Sequence, residues 1–321
     1  MDITSLYYFS EVAKDLHITK TAKRLYISQQ TLSNHIQRLE EQLGAQLLNR
    51  KPRLSLTYAG EFVLGFADVV LREQTNLTDI LSDLEQNERG VIRFGASHMR
   101  MDILAFIFPA FSARYPNVEL RLTSVVSEKL EPLVSNDELD FAIVVSDKSD
   151  SNLLQEALMQ DQIYLCVADP LLRSCYGEEA EEIKARSIRG ARIGDFSKLP
   201  FCMFTNTMGH RIRRCFEEAN VAPKVVLTSS LTQISTTIGL QGSLAFFATQ
   251  ANLAGRLDEI PEDMNIFPLL YRDEPMYLQV SLLRHRQRYL THFSKYFLEL
   301  ISNYCSISEQ ASISRAAGPM P

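Results

Sequence analysis

The chain has 321 residues, 45% hydrophobic and 22% charged, with a formal net charge of −6. That length suits two or three compact units, and no run reaches the ~18–20 uninterrupted apolar residues of a membrane span. Five cysteines, an odd number without CxxC spacing, point to reduced structural thiols and away from disulfides or a thiolate metal site.

The first segment sets Leu6, Phe9, Val12 and Ala13 on one helical face. Its sequence, MDITSLYYFSEVAKDLH, carries acids where a signal peptide carries cations, so a cytoplasmic protein is expected. After a break at Asp15–His17, Thr19 is read as the N-cap of a short helix, KTAKRL. Tyr26-Ile27-Ser28 makes a tight turn, Ser28 caps a helix beginning at Gln29, and Gly44 ends it at the left-handed C′ position. Ile27, Leu32, Ile36, Leu39 and Leu43 give that helix a buried stripe. Gln30, Ser33, Asn34, Gln37 and Arg38 lie on its other side, where a solvated face usually shows Glu and Lys. Amides, a hydroxyl and a cation are groups that read base edges and phosphates, and Gln or Asn pairs with adenine N6 and N7. Two short helices joined this way form a helix-turn-helix.

Seven cations lie between Lys20 and Arg53 against Glu40 and Glu41, a local balance of +5 in an acidic chain. That distribution suits a DNA-binding head on a body that does not bind DNA. LLNRKPRLSLTYAG alternates like a small β-ribbon, so Arg50, Lys51 and Arg53 are expected on a basic wing against phosphates. The DNA-contacting set is then Thr19, Ser28, Gln29, Gln30, Ser33, Asn34, Gln37, Arg38, Arg50, Lys51 and Arg53.

From Thr57 to about Asn87 a helical pattern carries Phe62, Phe66, Val69, Val70, Leu77, Ile80, Leu81 and Leu84. A stripe that long cannot be covered by the small head, and dimerisation is expected. From Val91 the rhythm changes to short strand-like runs, VIRFGAS, VELRLTSV, FAIVVS, IYLCVAD, FCMFT, KVVLTS and LAFF, interleaved with helical stretches. That alternation indicates α/β layers with parallel strands, whose carboxyl ends hold ligands. Ser97, His98, Met99, Arg100, Thr123, Ser124, Ser146, Thr205 and Asn206 are the effector-binding candidates. Helix starts, hydroxyls and the Arg100 cation, with no carboxylate among them, point to a small organic anion. The stretch Glu178–Lys198 reads as a charged loop or insertion, and residues 304–321 as a frayed tail. Six scattered histidines without a ligand-spaced partner, and no G-x-S-x-G or P-loop pattern, support neither a metal site, a cofactor nor an enzyme.

The whole pattern resembles the LysR-type transcriptional regulators. The carrying positions are Leu6, Phe9, Val12-Ala13, Thr19, Ala22, Leu25, Ser28-Gln29, Ser33, Ile36, Leu39-Glu40, Leu43-Gly44, Leu47, Arg50, Leu56-Thr57 and Ala59-Gly60. Val91–Gly95, Tyr115-Pro116 and Leu139–Ile143 resemble strand regions of that family's effector domain. Thr21, Gln30 and Asn34 depart from the usual alanine, proline and arginine, and GLQGSLAFFATQ departs from the glycine-rich second-lobe segment. The resemblance implies an N-terminal all-α winged helix-turn-helix with a linker helix, followed by a C-terminal α/β two-lobed effector domain resembling periplasmic binding proteins. Expected boundaries are 1–60, 61–89 and 90–303, with lobes near 91–162 plus 267–303 and near 163–266. Implied partners are double-stranded operator DNA, a homodimer or homotetramer, a small-molecule effector and RNA polymerase, with no membrane. The rival reading is a receptor or enzyme on the α/β lobes with a vestigial head.

Overall fold

Asp2 starts the first helix by accepting the Ser5 amide at 2.8 Å, and Leu16 ends it at φ 45°, bounding α1 (Ile3–Asp15). This computed structural model describes residues 1–84, 88–145 and 152–317. It divides into two compact units, Met1–Glu88 with Gln287–Thr291, and Arg89–Arg286 with His292–Pro321.

In the first unit, α2 (Ile18–Arg24) and α3 (Gln29–Leu43) are separated by the turn Leu25–Ser28. The cap of α2 is His17, whose ring nitrogen accepts the Lys20 amide at 3.3 Å; Thr19 sits in the first turn instead of capping it. Ser28 does cap α3, accepting the Thr31 amide at 3.0 Å, and Gly44 closes it at φ 65°. Leu6, Phe9 and Val12 pack against Leu32, Ile36 and Leu39 to form the core. A short antiparallel ribbon follows, β1 (Leu48–Asn49) on β2 (Ser55–Leu56), and makes the wing. The long helix α4 (Tyr58–Leu84) lays Val63, Leu64, Ala67 and Val70 on that core, while its expected end near Asn87 lies outside the described residues. Farther along α4, Asn76 donates to the Gln287 carbonyl and accepts the Tyr289 amide, both at 3.0 Å, which fastens the segment Gln287–Thr291 to the helix.

The second unit begins β3 (Arg89–Ala96), α5 (His98–Met101), α6 (Ile103–Arg114), β4 (Asn117–Ser124), α7 (Ser127–Ser135), β5 (Phe141–Val145) and β6 (Leu153–Ala168). It continues α8 (Asp169–Tyr176), α9 (Glu179–Ser187), β7 (Pro200–Phe204), α10 (Thr207–Glu218), β8 (Lys224–Ser229), α11 (Thr232–Leu240), β9 (Phe246–Thr249) and α12 (Gln250–Ala254). β10 (Met264–Pro268), β11 (Leu270–Tyr271), β12 (Glu274–Pro275), β13 (Tyr277–His285) and α13 (His292–Gln310) complete it. β3 pairs in parallel with β4 and β5, and β13 runs antiparallel between β5 and the first part of β6. From Ile163 onward β6 leaves β13 and pairs with β9 and β10, so this one strand passes from the first lobe into the second. The second lobe adds the parallel pair β7–β8. Its core holds Phe201, Phe216, Phe247 and Phe267, all buried.

Two further expectations fail here. The stretch read as a loop, Glu178–Lys198, contains α9 and a 3-10 turn at Ile193–Phe196, with Ala180, Ile183, Ile193 and Phe196 buried. Its charges hid this, because Lys184 is itself buried and bonds Asp169 at 2.8 Å. The tail read as frayed is packed as far as it is described: α13 runs to Gln310, and Ile313 and Ala317 are buried. Arg315 exchanges two backbone hydrogen bonds with Ile266 on β10 at 2.8 and 3.0 Å, and the Ala317 amide donates to Asn265 at 2.8 Å. Polar bonds, invisible to an apolar pattern, hold this segment.

Candidate functional site

The recognition face of α3 follows from its buried stripe. With Leu32, Ile36 and Leu39 inside, Gln29, Gln30, Asn34, Gln37 and Arg38 are exposed and Ser33 is half-buried. Two of these amides are partly engaged: Gln29 accepts from the Thr19 hydroxyl at 3.0 Å, and Gln37 donates to Glu41 at 2.9 Å. The first bond joins the start of α3 to the first turn of α2. Ser28 spends its hydroxyl on the cap and on Thr31.

The local charge of +5 is smaller in the folded head. Lys20 pairs with Asp15 at 2.9 Å, Arg24 bridges Glu11 and Asp15, and Arg50 reaches Glu40 at 3.3 Å. Hydrogen bonds from Lys20 and then Arg24 pull the Asp15 carboxyl down to about 2. Burial pushes the Glu11 carboxyl up, but the bonds from Arg24 and Lys14 outweigh it and leave it below its ordinary value. Lys23, Arg38, Lys51 and Arg53 form no ion pair with an acid among the described residues, and all four are exposed. Glu40 was counted only as an anion from the sequence. It accepts the Leu47 and Leu48 amides at 2.8 and 3.2 Å, and so ties the root of the wing to α3. On the far side of α4, Phe62, Phe66, Val69, Leu77, Leu81 and Leu84 remain exposed.

The second unit holds a cavity of about 440 Å³ between its lobes. Ser97, His98, Met99, Ser124, Thr205 and Asn206 all line it. Thr123 does not: neighbouring strand residues face opposite sides, and Ser124 takes the cavity side. Arg100 does not either, since it is 7% exposed and paired with Asp161. Ser146 lies outside the described residues. Asn206 is spent on the cap of α10, where its side chain accepts the Gly209 amide at 3.0 Å. Any Cβ at position 209 would come within 2.1 Å of the Phe204 carbonyl oxygen, so this turn needs glycine.

The lining also corrects the expected chemistry. Glu128, at the start of α7, lines the cavity and accepts the Thr207 hydroxyl at 3.0 Å, which links the two lobes. The expected hydroxyls, amide and helix starts at Ser97, Ser124, Thr205 and Asn206 line it, but no lysine or arginine does among the described residues. His210 and Ser230 were also missed; the rule that ligands gather at strand carboxyl ends locates Glu128 and His210 on the helices that follow β4 and β7. Among the described residues no cluster of His, Cys, Asp or Glu can hold a metal ion, and no helix is long and apolar enough to cross a membrane.

Residues 3–61 match the bacterial regulatory helix-turn-helix protein of the LysR family, and residues 85–306 match the LysR substrate binding domain. The chain is 24% identical to the HTH-type transcriptional regulator CzcR of Bacillus subtilis strain 168, over 96% of this chain and 99% of that protein. It is 27% identical to the Hca operon transcriptional activator HcaR of Escherichia coli K12, over 75% and 79% of the two chains. A full-length OxyR variant from Pseudomonas aeruginosa shares the fold with a TM-score of 0.64 at 19% identity, covering 98% of this chain and 100% of that one. Full-length CbnR in complex with its target DNA gives a TM-score of 0.52 at 17% identity, covering 95% and 100%. With both of its units matched by the family that combines them, this chain belongs to the LysR family of bacterial transcriptional regulators and is not an enzyme.

Proposed function

We propose that α3 enters the major groove of operator DNA with Gln30, Asn34 and Gln37 toward base edges, while Lys23, Arg38, Lys51 and Arg53 meet phosphates. The observation that carries this reading is the exposed amide row on a helix whose buried stripe and Ser28 cap fix its orientation. Thr19 and Gln29 brace the helix start, Ser33 contributes at the edge of the row, and Arg50 acts mainly through Glu40. Fluorescence anisotropy with the protein's own upstream DNA and a random duplex tests it. The Asn34→Ala protein should lose discrimination between the two, because each good bidentate pair gives roughly 1–3 kcal/mol of it. Equal losses on both duplexes would overturn the assignment.

The exposed stripe of α4 supports a homodimer, whether alone or within a tetramer, and a two-fold dimer asks for a roughly palindromic site. The same proposal places the protein in the cytoplasm, where DNA and RNA polymerase are its partners. The interlobe cavity takes a neutral, hydroxylated or amide-bearing effector that donates to Glu128 and accepts from the surrounding hydroxyls. The effector acts by population shift, favouring one lobe geometry. A thermal-shift panel of acids, amines, amides and sugars on wild type and Ser97→Ala tests this part. Stabilisation by acids alone at that site would refute it.

A further inference from the structure

Polar contacts fasten α3 near both ends: Gln29 accepts the Thr19 hydroxyl at 3.0 Å, and Glu40 accepts the Leu47 and Leu48 amides at 2.8 and 3.2 Å. Between them, half-buried His35 reaches α1, where its Nδ1 lies 2.9 Å from the Ser5 hydroxyl oxygen. Ser5 is 1% exposed, and its hydroxyl and backbone amide both donate to Asp2, the cap of α1, at 2.8 Å each. A hydroxyl has one proton to donate. Ser5 gives that proton to Asp2, so Nδ1 of His35 must carry one of its own and donate it to Ser5. The amide and then the hydroxyl of Ser5 pull the Asp2 carboxyl below its ordinary value, which keeps it ionised and purely an acceptor at neutral pH. Every proton in the chain His35–Ser5–Asp2 therefore has one direction. The Tyr8 ring meets the imidazole edge-on, with ring centres 4.8 Å apart.

We propose that His35 is a positioning residue for DNA recognition: its bond to Ser5 sets the rotation of α3 about its own axis, and with it the direction of Gln30, Asn34 and Gln37. This rests on the reading of α3 as the helix that meets the bases. Leu32, Ile36 and Leu39 hold α3 in the core of the head, but apolar contacts are non-directional. Side-chain tips lie about 5–6 Å from a helix axis, so a roll of about 20° moves them by about 2 Å. A hydrogen bond spans only roughly 2.7–3.2 Å between heavy atoms. A roll too small to expose the apolar stripe is thus enough to break a bidentate contact with a base. The Gln29 contact joins exposed groups at the helix start, whereas the His35 bond reaches a buried hydroxyl beside Asn34 in the middle of the amide row.

Side-chain geometry supplies the discriminating variants. The amide nitrogen of asparagine takes the place of the histidine Nδ1, while that of glutamine takes the place of Nε2. His35→Asn can still donate to Ser5, and His35→Gln cannot do so from the same position. Both lose the ring contact with Tyr8, and intrinsic helix propensity favours glutamine, so a role in helix stability alone gives the opposite order.

Fluorescence anisotropy on the protein's own upstream DNA and on a random duplex gives the ratio of the two affinities. His35→Asn should keep that ratio within about twofold of wild type, while His35→Gln and Ser5→Ala should each lower it about tenfold, as Asn34→Ala does. A second readout needs no DNA. Nuclear magnetic resonance of the full chain with nitrogen-labelled histidine, recorded with the ring neutral, should place the His35 proton on Nδ1 in the wild type. In Ser5→Ala it should return to Nε2, the ordinary site in free histidine. Thermal melts establish that the variants are folded, and the wild-type spectrum decides even if one of them is not. A wild-type proton on Nε2, or equal ratios for His35→Asn and His35→Gln while Asn34→Ala lowers its own, would overturn the positioning role and leave the reading of α3 standing. A ratio that Asn34→Ala does not change would overturn that reading, and the positioning role with it.

Discussion

Replacing Leu77 and Leu81 by aspartate on α4 tests the dimer reading most directly. In one protomer these side chains are 56% and 52% exposed, so the protomer itself loses little when they change. Burying a whole leucine gains about 1.5–3 kcal/mol, so burying the remaining half gains about 1 kcal/mol. A two-fold interface holds each residue twice, and four half-leucines give roughly 4 kcal/mol before any repulsion between the new carboxylates. That corresponds to about a thousandfold in the dimer dissociation constant. Sedimentation velocity at micromolar protein should show the wild type assembled and the double variant monomeric, with weak operator binding. Thr78→Asp, exposed on the same helix but off the stripe, controls for added charge and should leave assembly intact. A folded double variant that still sediments like the wild type would refute the argument.

Salt dependence separates the wing cations: Arg53→Ala should lower the slope of log affinity against log salt by about 1, and Arg50→Ala by less, since Glu40 already neutralises it. Two equal changes would contradict the pairing. Because the folded Asp15 pKa of about 2 lies below the ordinary 3.8, its stabilisation is full above about pH 4 and is lost as pH falls toward 2. The stability gap between wild type and Asp15→Asn in urea melts should therefore narrow over that window and stay constant above it. Ile313→Ala, in the docked tail, should cost about 2 kcal/mol and lower the melting midpoint of the second unit by roughly 4–8 °C; a change under 1 °C would mean the tail is not held.

The helix-turn-helix was legible because its signals are local. Leu32, Ile36 and Leu39 recur at helical spacing, and Ser28 and Gly44 punctuate within one turn of the ends. What stayed hidden depends on residues far apart in the chain. Lys184 and Asp169 turn a charged stretch into a buried helix, and Asn265 reaches across to fix Ala317. The charge count between Lys20 and Arg53 overlooked Glu11 and Asp15, which lie upstream but fold back on Arg24. Side-chain direction was the other gap. A strand end located to within one residue cannot tell Thr123 from Ser124, and a single residue step along α5 separates Met99, which lines the cleft, from Arg100, which does not.

Two of the polar ties between the lobes of the second unit are of unequal strength, and a third is made by Gln250 on α12, which donates to the Ser308, Glu309 and Ala311 carbonyls. Thr207 and Glu128 meet at the cleft, where both groups are open to water; a bond of that kind exchanges with solvent and is worth at most about 1 kcal/mol. Arg100, Asp161 and the Ala251 amide meet in the interior, one residue before Gln162, after which β6 changes partners from β13 to β9 and β10. Breaking a buried pair by removing one partner costs about 3–5 kcal/mol, because the charge left behind has no solvent. Of these two, the outer tie is the weaker, so it is the one expected to break first when the lobes separate. An effector that donates to Glu128 replaces the Thr207 bond instead of competing with the buried pair. Its remaining contacts, made to both lobes only when they are closed, are then free to set the angle between them.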